Sequence, residues 1–144
     1  MTEINVSIRI ERSAEEVFGV LADMEQNPRW QAGQNRCTWT SEPPLRLGST
    51  YDQEATFLFK EIVSSFEVVE FERDRRIRIV STAGTMPIDV TREVAPSGDG
   101  VCDVSATIKG DPPGVLRLLG PLVDRMVRSR VEADYKTLKA MLES

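Results

Sequence analysis

The sequence predicts an α+β domain in which about seven antiparallel strands wrap around one long C-terminal helix, with one or two short helices after the first strand. Three observations carry this. Ile4, Val6, Ile8 and Ile10 alternate with Asn5, Ser7, Arg9 and Glu11, the period of a half-buried strand. Between Cys37 and Lys109 the chain offers a succession of short β-rich runs divided by turn residues. From about Val115 to Glu143, apolar residues recur at three- and four-residue steps, the stripe of a long amphipathic helix.

Taken in order, the opening strand ends where Ser13-Ala14-Glu15-Glu16 begins a capping box, a hydroxyl with a Glu three residues later. Val17, Val20, Leu21 and Met24 follow at helical spacing, so a helix is expected over about Ala14–Ala22. Asn27-Pro28-Arg29-Trp30 marks a break and a second short helical turn before Gly33. A short strand is expected over 37–41, then a loop through Pro43-Pro44 to Gly48. The next strand is expected over 50–59, with Tyr51, Gln53, Ala55, Phe57 and Phe59 on one face.

Further strands are expected over 62–71, 76–81, 86–94 and 101–109, separated at Arg73-Asp74-Arg75, Ala83-Gly84-Thr85 and Pro96-Ser97-Gly98-Asp99-Gly100. Pro87 belongs at a strand start or edge, because it donates no ladder hydrogen bond. Consecutive strands with short turns pair antiparallel as a meander. The helix stripe holds Leu116, Leu119, Val123, Met126, Val127, Val131, Tyr135, Leu138 and Leu142. Pro121 inside it predicts a kink or a restart. No linker, repeat or low-complexity run interrupts the 144 residues, so one domain over 1–144 is expected.

Composition narrows the chemistry. A net charge of −5 opposes general nucleic-acid affinity, which rests on neutralising phosphates with Lys and Arg, and gives no attraction to anionic lipid surfaces. No apolar run approaches the ~18–20 residues of a membrane span. The start of the chain lacks a secretory pattern. Cys37 and Cys102 stand far apart and read as free thiols of a reducing cytoplasm. Histidine is absent, which removes Ser-His-Asp and Cys-His nucleophilic schemes and His-ligated zinc. No metal or cofactor is expected, and a monomer or homodimer is.

The chain resembles the START-like, or SRPBCC, superfamily of helix-grip folds, which includes polyketide cyclase/dehydrases, lipid-transfer domains and many bacterial proteins. The resemblance runs the full length. It rests on residues 8–18 (IRIERSAEEVF), on Leu21-Ala22-Asp23 with Asn27-Pro28-Arg29-Trp30, on Leu47-Gly48-Ser49-Thr50-Tyr51, and on the closing residues 138–143 (LKAMLE). It implies a curved sheet gripping the last helix and an elongated cavity for hydrophobic or amphipathic ligands. Fold alone assigns no reaction.

The candidate cavity-lining residues are Trp30, Tyr51, Gln53, Phe57, Phe59, Val90, Arg92, Leu119, Val123 and Met126. Trp30 reads either as a flap over the cavity mouth or as a packing residue pinning the second helix. Tyr51, Phe57 and Phe59 share a face with Gln53, an apolar wall with a polar handle. Arg92 shares its parity with Met86, Ile88, Val90 and Val94, which points it inward. It either anchors a carboxylate, phenolate or enolate of a ligand, or pairs with an acidic side chain such as Glu70, or bends to the rim. Leu119, Val123 and Met126 read as cavity floor or plain core. Cys102 shares parity with Val104, Ala106 and Ile108 and, without a base, is an inert small hydrophobe. The pairs Glu15/Glu16 and Asp23/Glu25 read as solvated helix charges. No residue is assigned as catalytic.

The leading expectation is a binder or carrier of a small hydrophobic molecule such as a lipid, polyketide, isoprenoid or quinone. An enzyme of the polyketide cyclase/dehydrase type is the alternative, with Arg92, Tyr51 and a bound water as its agents. A co-chaperone-like interaction module is the third, and it requires a filled core and an exposed apolar patch.

Overall fold

The computed structural model describes residues 2–57, 59–84, 87–110 and 120–144. Strand β1 (Thr2–Ile10) leads into α1 (Ala14–Leu21), a single 3-10 turn at Met24–Gln26 and the short α2 (Asn27–Trp30). Six strands follow: β2 (Gln34–Trp39), β3 (Thr50–Phe57), β4 (Lys60–Glu72), β5 (Arg76–Ala83), β6 (Ile88–Pro96) and β7 (Cys102–Gly110). Helix α3 (Gly120–Glu143) closes the chain. The seven strands form one sheet in the order β1-β7-β6-β5-β4-β3-β2, every pair antiparallel. Strands β2 to β7 are thus a meander, and β1 adds to its far edge beside β7. The sheet curls into a half-barrel around α3, the helix-grip arrangement.

Local chemistry accounts for the boundaries. The Ser13 hydroxyl accepts the Glu16 amide at 3.2 Å, capping α1. Val17, Phe18 and Leu21 form its buried face, and Phe18 meets Phe71 edge to face with centroids 5.7 Å apart. Asp74 turns the β4–β5 hairpin at φ 62°, a conformation that Asp tolerates better than most residues. β4 carries irregularities between Ser65 and Phe66 and between Val68 and Glu70, and such bulges bend a strand and increase its twist. The core runs along the inner sheet face through Ile4, Val68, Ile77, Ile79 and Val104, closed by Leu138 and Tyr135 of α3.

One expectation about the elements changes. The strand expected over 50–59 ends at Phe57, which pairs with Lys60 at the start of β4. Phe59 lies in the intervening turn with φ 66° and is fully exposed. No Gly, Asn or Pro marks that turn, so apolar alternation hid it. Pro121 is the second described residue of α3. The part of the expected helix before Gly120 lies outside the described residues.

Candidate functional site

Between α3 and the concave face of the sheet is a cavity of about 250 Å³. Neighbouring strands build its walls through matched registers. Tyr51, Gln53 and Ala55 of β3 lie opposite Phe66, Ser64 and Ile62 of β4, and all six line the cavity. Ile88, Val90 and Arg92 of β6 lie opposite Gly110, Ile108 and Ala106 of β7. Of these, all but Ala106 line it. The roof is one face of α3: Val123, Asp124, Val127, Arg130, Val131, Asp134 and Tyr135. Residues 30, 31, 33 and 34, from α2 into β2, close the side.

The two ends of this space differ. At one end Tyr51, Trp30, Phe66, Ile79, Arg92 and Tyr135 are all buried. Tyr51 stacks on Phe66 at 5.3 Å between centroids, and Trp30 meets Tyr135 edge to face at 5.1 Å. Toward the other end burial falls off along the strands, through Ala55 and exposed Thr56 on β3, Ile62 on β4 and Ile88 on β6, while α3 contributes half-buried Val127, exposed Arg130 and buried Val123.

Arg92 is the principal charge at the closed end. It is only 6% exposed. Its Nε donates to the Tyr135 hydroxyl at 3.2 Å, and the guanidinium carbon lies 5.1 Å from the centre of the Trp30 ring. Its Nη1 is buried without an acceptor. None of the ion pairs among the described residues includes Arg92. A cation–π contact contributes about 0.5–2 kcal/mol, against several kcal/mol for removing a cation from water with no anion beside it. The pairing with Glu70 weighed from the sequence does not occur. Glu70 lies opposite Arg78 and is held by Arg78 at 3.0 Å and Arg76 at 3.3 Å, while Arg78 also takes Asp89 at 2.8 Å. This half-exposed cluster holds Glu70 and Asp89 on the outer face of the sheet.

Three acid groups border the site or lie beside it, and each is pushed toward its neutral form. Burial raises the Tyr51 phenol well above its ordinary value, opposed by the Arg92 charge. Burial raises the Cys37 thiol to about 11, with hydrogen bonding from Asn27 and the charge of Arg92 opposing it. Burial also raises the Asp134 carboxyl, against the Ala32 amide that donates to its Oδ1 at 3.0 Å and the charge of Arg130. The cavity wall thus holds a phenol able to donate, a half-buried carboxyl and two permanent cations, buried Arg92 and exposed Arg130.

Of the residues singled out from the sequence, Trp30, Tyr51, Gln53, Val90, Arg92 and Val123 come together on the cavity wall. Trp30 is 2% exposed and sits at the closed end, a wall rather than a flap over the mouth. Phe59 does not line the cavity, because the β3–β4 turn carries it into solvent. Met126 does not either: it is 40% exposed, since one helix step moves the inward stripe to Val123 and Val127. Phe57 ends β3 and its side chain lies outside the described residues, as does Leu119. Cys102 is buried at the start of β7 and away from the cavity lining.

Several wall residues escaped the sequence reading. Ile62, Ser64 and Phe66 were discoverable from parity along β4, once paired with Tyr51, Gln53 and Ala55. Asp134, next to an inward Tyr135 on a helix, carried no such signal. Among the described residues no group of three or more Cys, Asp or Glu is placed to hold a metal ion, and no helix is long and apolar enough to cross a membrane.

A seven-stranded half-barrel closed over a cavity by its last helix defines a START-like ligand-binding fold. The profile of the polyketide cyclase/dehydrase and lipid transport family matches residues 1–143, and the chain belongs to that family. Solved structures agree on the fold. A Thermus thermophilus protein superposes with a TM-score of 0.84 at 19% identity, covering 97% of this chain and 96% of that one. A START superfamily protein from Mycobacterium smegmatis gives 0.82 at 16% identity, over 99% and 98%. The ZhuI aromatase/cyclase from a Streptomyces species gives 0.81 at 10% identity, over 98% and 93%. No protein of curated function matches the sequence significantly.

Proposed function

We propose that the chain is a single-domain cytoplasmic protein that binds or carries a small hydrophobic molecule in the cavity between sheet and helix, without a cofactor. The observation that carries this is the cavity: about 250 Å³ left unfilled between the concave face of the sheet and Val123, Val127 and Val131 of α3. An unfilled apolar space forfeits dispersion contacts along its lining. An engineered cavity of about 150 Å³ in another protein accepts benzene, so this one suits roughly a bicyclic ring, or a longer chain reaching out past Thr56. Trp30, Tyr51, Gln53, Val90, Arg92 and Val123 are the proposed contacts. The unfilled interior does not support the interaction-module reading.

The test fills the space. Val127→Trp places an indole where Val127 borders the cavity and is half exposed. The wild type is expected to gain several degrees in Tm with naphthalene-class ligands and to retain compounds detectable by native mass spectrometry. The variant is expected to fold and to lose both responses. A wild type that responds to no hydrophobic compound would falsify the carrier reading.

One observation favours a second reading, an enzyme of the cyclase/dehydrase type. Asp134 lines the cavity, and burial raises its carboxyl above the ordinary carboxylate value, the direction a general acid requires. On this reading Arg92 stabilises an enolate, and turnover of an enolisable polyketone is abolished in Asp134→Asn with binding retained. Turnover unchanged in that variant removes Asp134 from the chemistry.

A further inference from the structure

We infer that the cavity selects ligands carrying a carboxylate, which enter head first and seat that group against Arg92. This deepens the carrier reading and rests on it. The walls are asymmetric along their length. Down β6 the lining residues run Ile88, Val90, Arg92, the first two half-buried and the last buried. On α3, half-buried Val127 and Val131 lie between buried Val123 and buried Tyr135. Arg92 therefore lies at the buried end of β6, while the other cation on the cavity wall, Arg130, is exposed beside Gly33 and Thr56. A ligand with no head group would leave the Arg92 charge enclosed and uncompensated. A ligand with its anion at the outer end would leave that charge uncompensated too, and would place its tail against a guanidinium.

The surroundings of Arg92 fit a carboxylate. Its Nε is engaged by Tyr135 and its plane lies over Trp30, which fixes the guanidinium. Its buried Nη1 lacks an acceptor. Beside it the Tyr51 phenol is kept protonated by burial, so it presents no competing negative charge. Glu70 and Asp89 are held by Arg78 on the outer face of the sheet, and the Asp134 carboxyl on the cavity wall accepts from the Ala32 amide. A carboxylate oxygen accepting from Nη1 makes a charge-assisted bond in a site of low polarity, where such bonds are strongest.

Three probes of one shape separate the terms: 2-naphthoate, its methyl ester and 2-naphthalenemethanol, titrated calorimetrically at pH 7 against wild type, Arg92→Met and Arg92→Lys. The expected result is a preference of the wild type for 2-naphthoate over the ester and the alcohol by about tenfold or more, the range of a hydrogen bond to a charged group. Arg92→Met is expected to lose that preference while still binding the alcohol, and Arg92→Lys to keep part of it. Equal wild-type affinity for all three probes overturns the carboxylate inference and leaves the carrier reading intact. Binding of none of them overturns both. Because the wild-type comparison needs no variant, a variant that fails to fold does not rescue the idea.

Discussion

In its C-terminal half, α3 presses Tyr135 and Leu138 into the sheet and backs them with Met141 and Leu142, while Lys139 and Glu143 reach the Arg9 carbonyl and the Glu11 amide. In its N-terminal half the same helix carries Val123, Val127 and Val131 over a void. The apolar repeat is continuous through both halves, so the difference does not come from the helix. It comes from what lies opposite. The C-terminal half meets β1 and the core built by α1. The N-terminal half spans the curl of β3 to β6, which is wider than one row of valines can fill. A single amphipathic stripe thus serves as core at one end and as cavity roof at the other.

The contrast breaks most easily by truncation. Leu138→Ala removes a fully buried side chain and is expected to destabilise by about 3 kcal/mol, within the usual 2–5. Val127→Ala is expected to lose less than about 1 kcal/mol, because the space it would vacate already exists and no new cavity is created. Urea unfolding at pH 7 compares the two. Equal losses would mean that the N-terminal half of α3 packs as tightly as the other and that no cavity persists in solution.

A smaller effect separates the inner face of the sheet from the outer. Arg78, outside, shares Glu70 and Asp89, and its exposure limits the cluster to about 1 kcal/mol. Hydrogen bonding from Arg78 lowers the Asp89 carboxyl below its ordinary range. A depressed carboxylate contributes stability above its unfolded pKa of about 4 and loses it as the pH falls through the folded value. Arg78→Met is therefore expected to cost up to about 1 kcal/mol at pH 7 and progressively less below pH 4. A deficit independent of pH would assign the loss to packing of the arginine stem instead.

Most of the architecture was legible because strands and helices announce themselves by period. The β1 alternation, the Ser13 cap and the long stripe of α3 each fixed an element within a few residues. The site was legible only where parity on one strand sufficed, as for Tyr51, Gln53, Val90 and the inward Arg92. It failed at Phe59, where the chain turns through a residue with positive φ and no turn-former marks it. It failed at Met126, where helical spacing alone does not say which neighbouring position faces inward. The fate of Glu70 shows a third limit. Whether Arg92 is paired depends on which face of the sheet holds the acids, and the irregularity in β4 between Val68 and Glu70 decides that without a local signature.

The subtlest consequence of burial concerns Cys37 of β2, buried beside Asn27 and Gln53 at the opposite edge of the sheet from β1. Burial lifts its thiol from an ordinary value near 9 to about 11, so at pH 8 the native protein exposes almost no thiolate there. A disulfide reagent is expected to label it far more slowly in buffer than in denaturing urea, at a rate set by opening of the fold. The same shift has a sign in stability. The folded state keeps its proton to higher pH than the unfolded chain does, so the contribution is complete below about pH 9 and disappears as the pH rises through 11. The difference in unfolding free energy between the wild type and Cys37→Ala is therefore expected to move in favour of the variant across that window. Fast native labelling at pH 8 would show instead that water reaches the closed end, and would remove the low-polarity setting in which an unpaired Arg92 demands an anion.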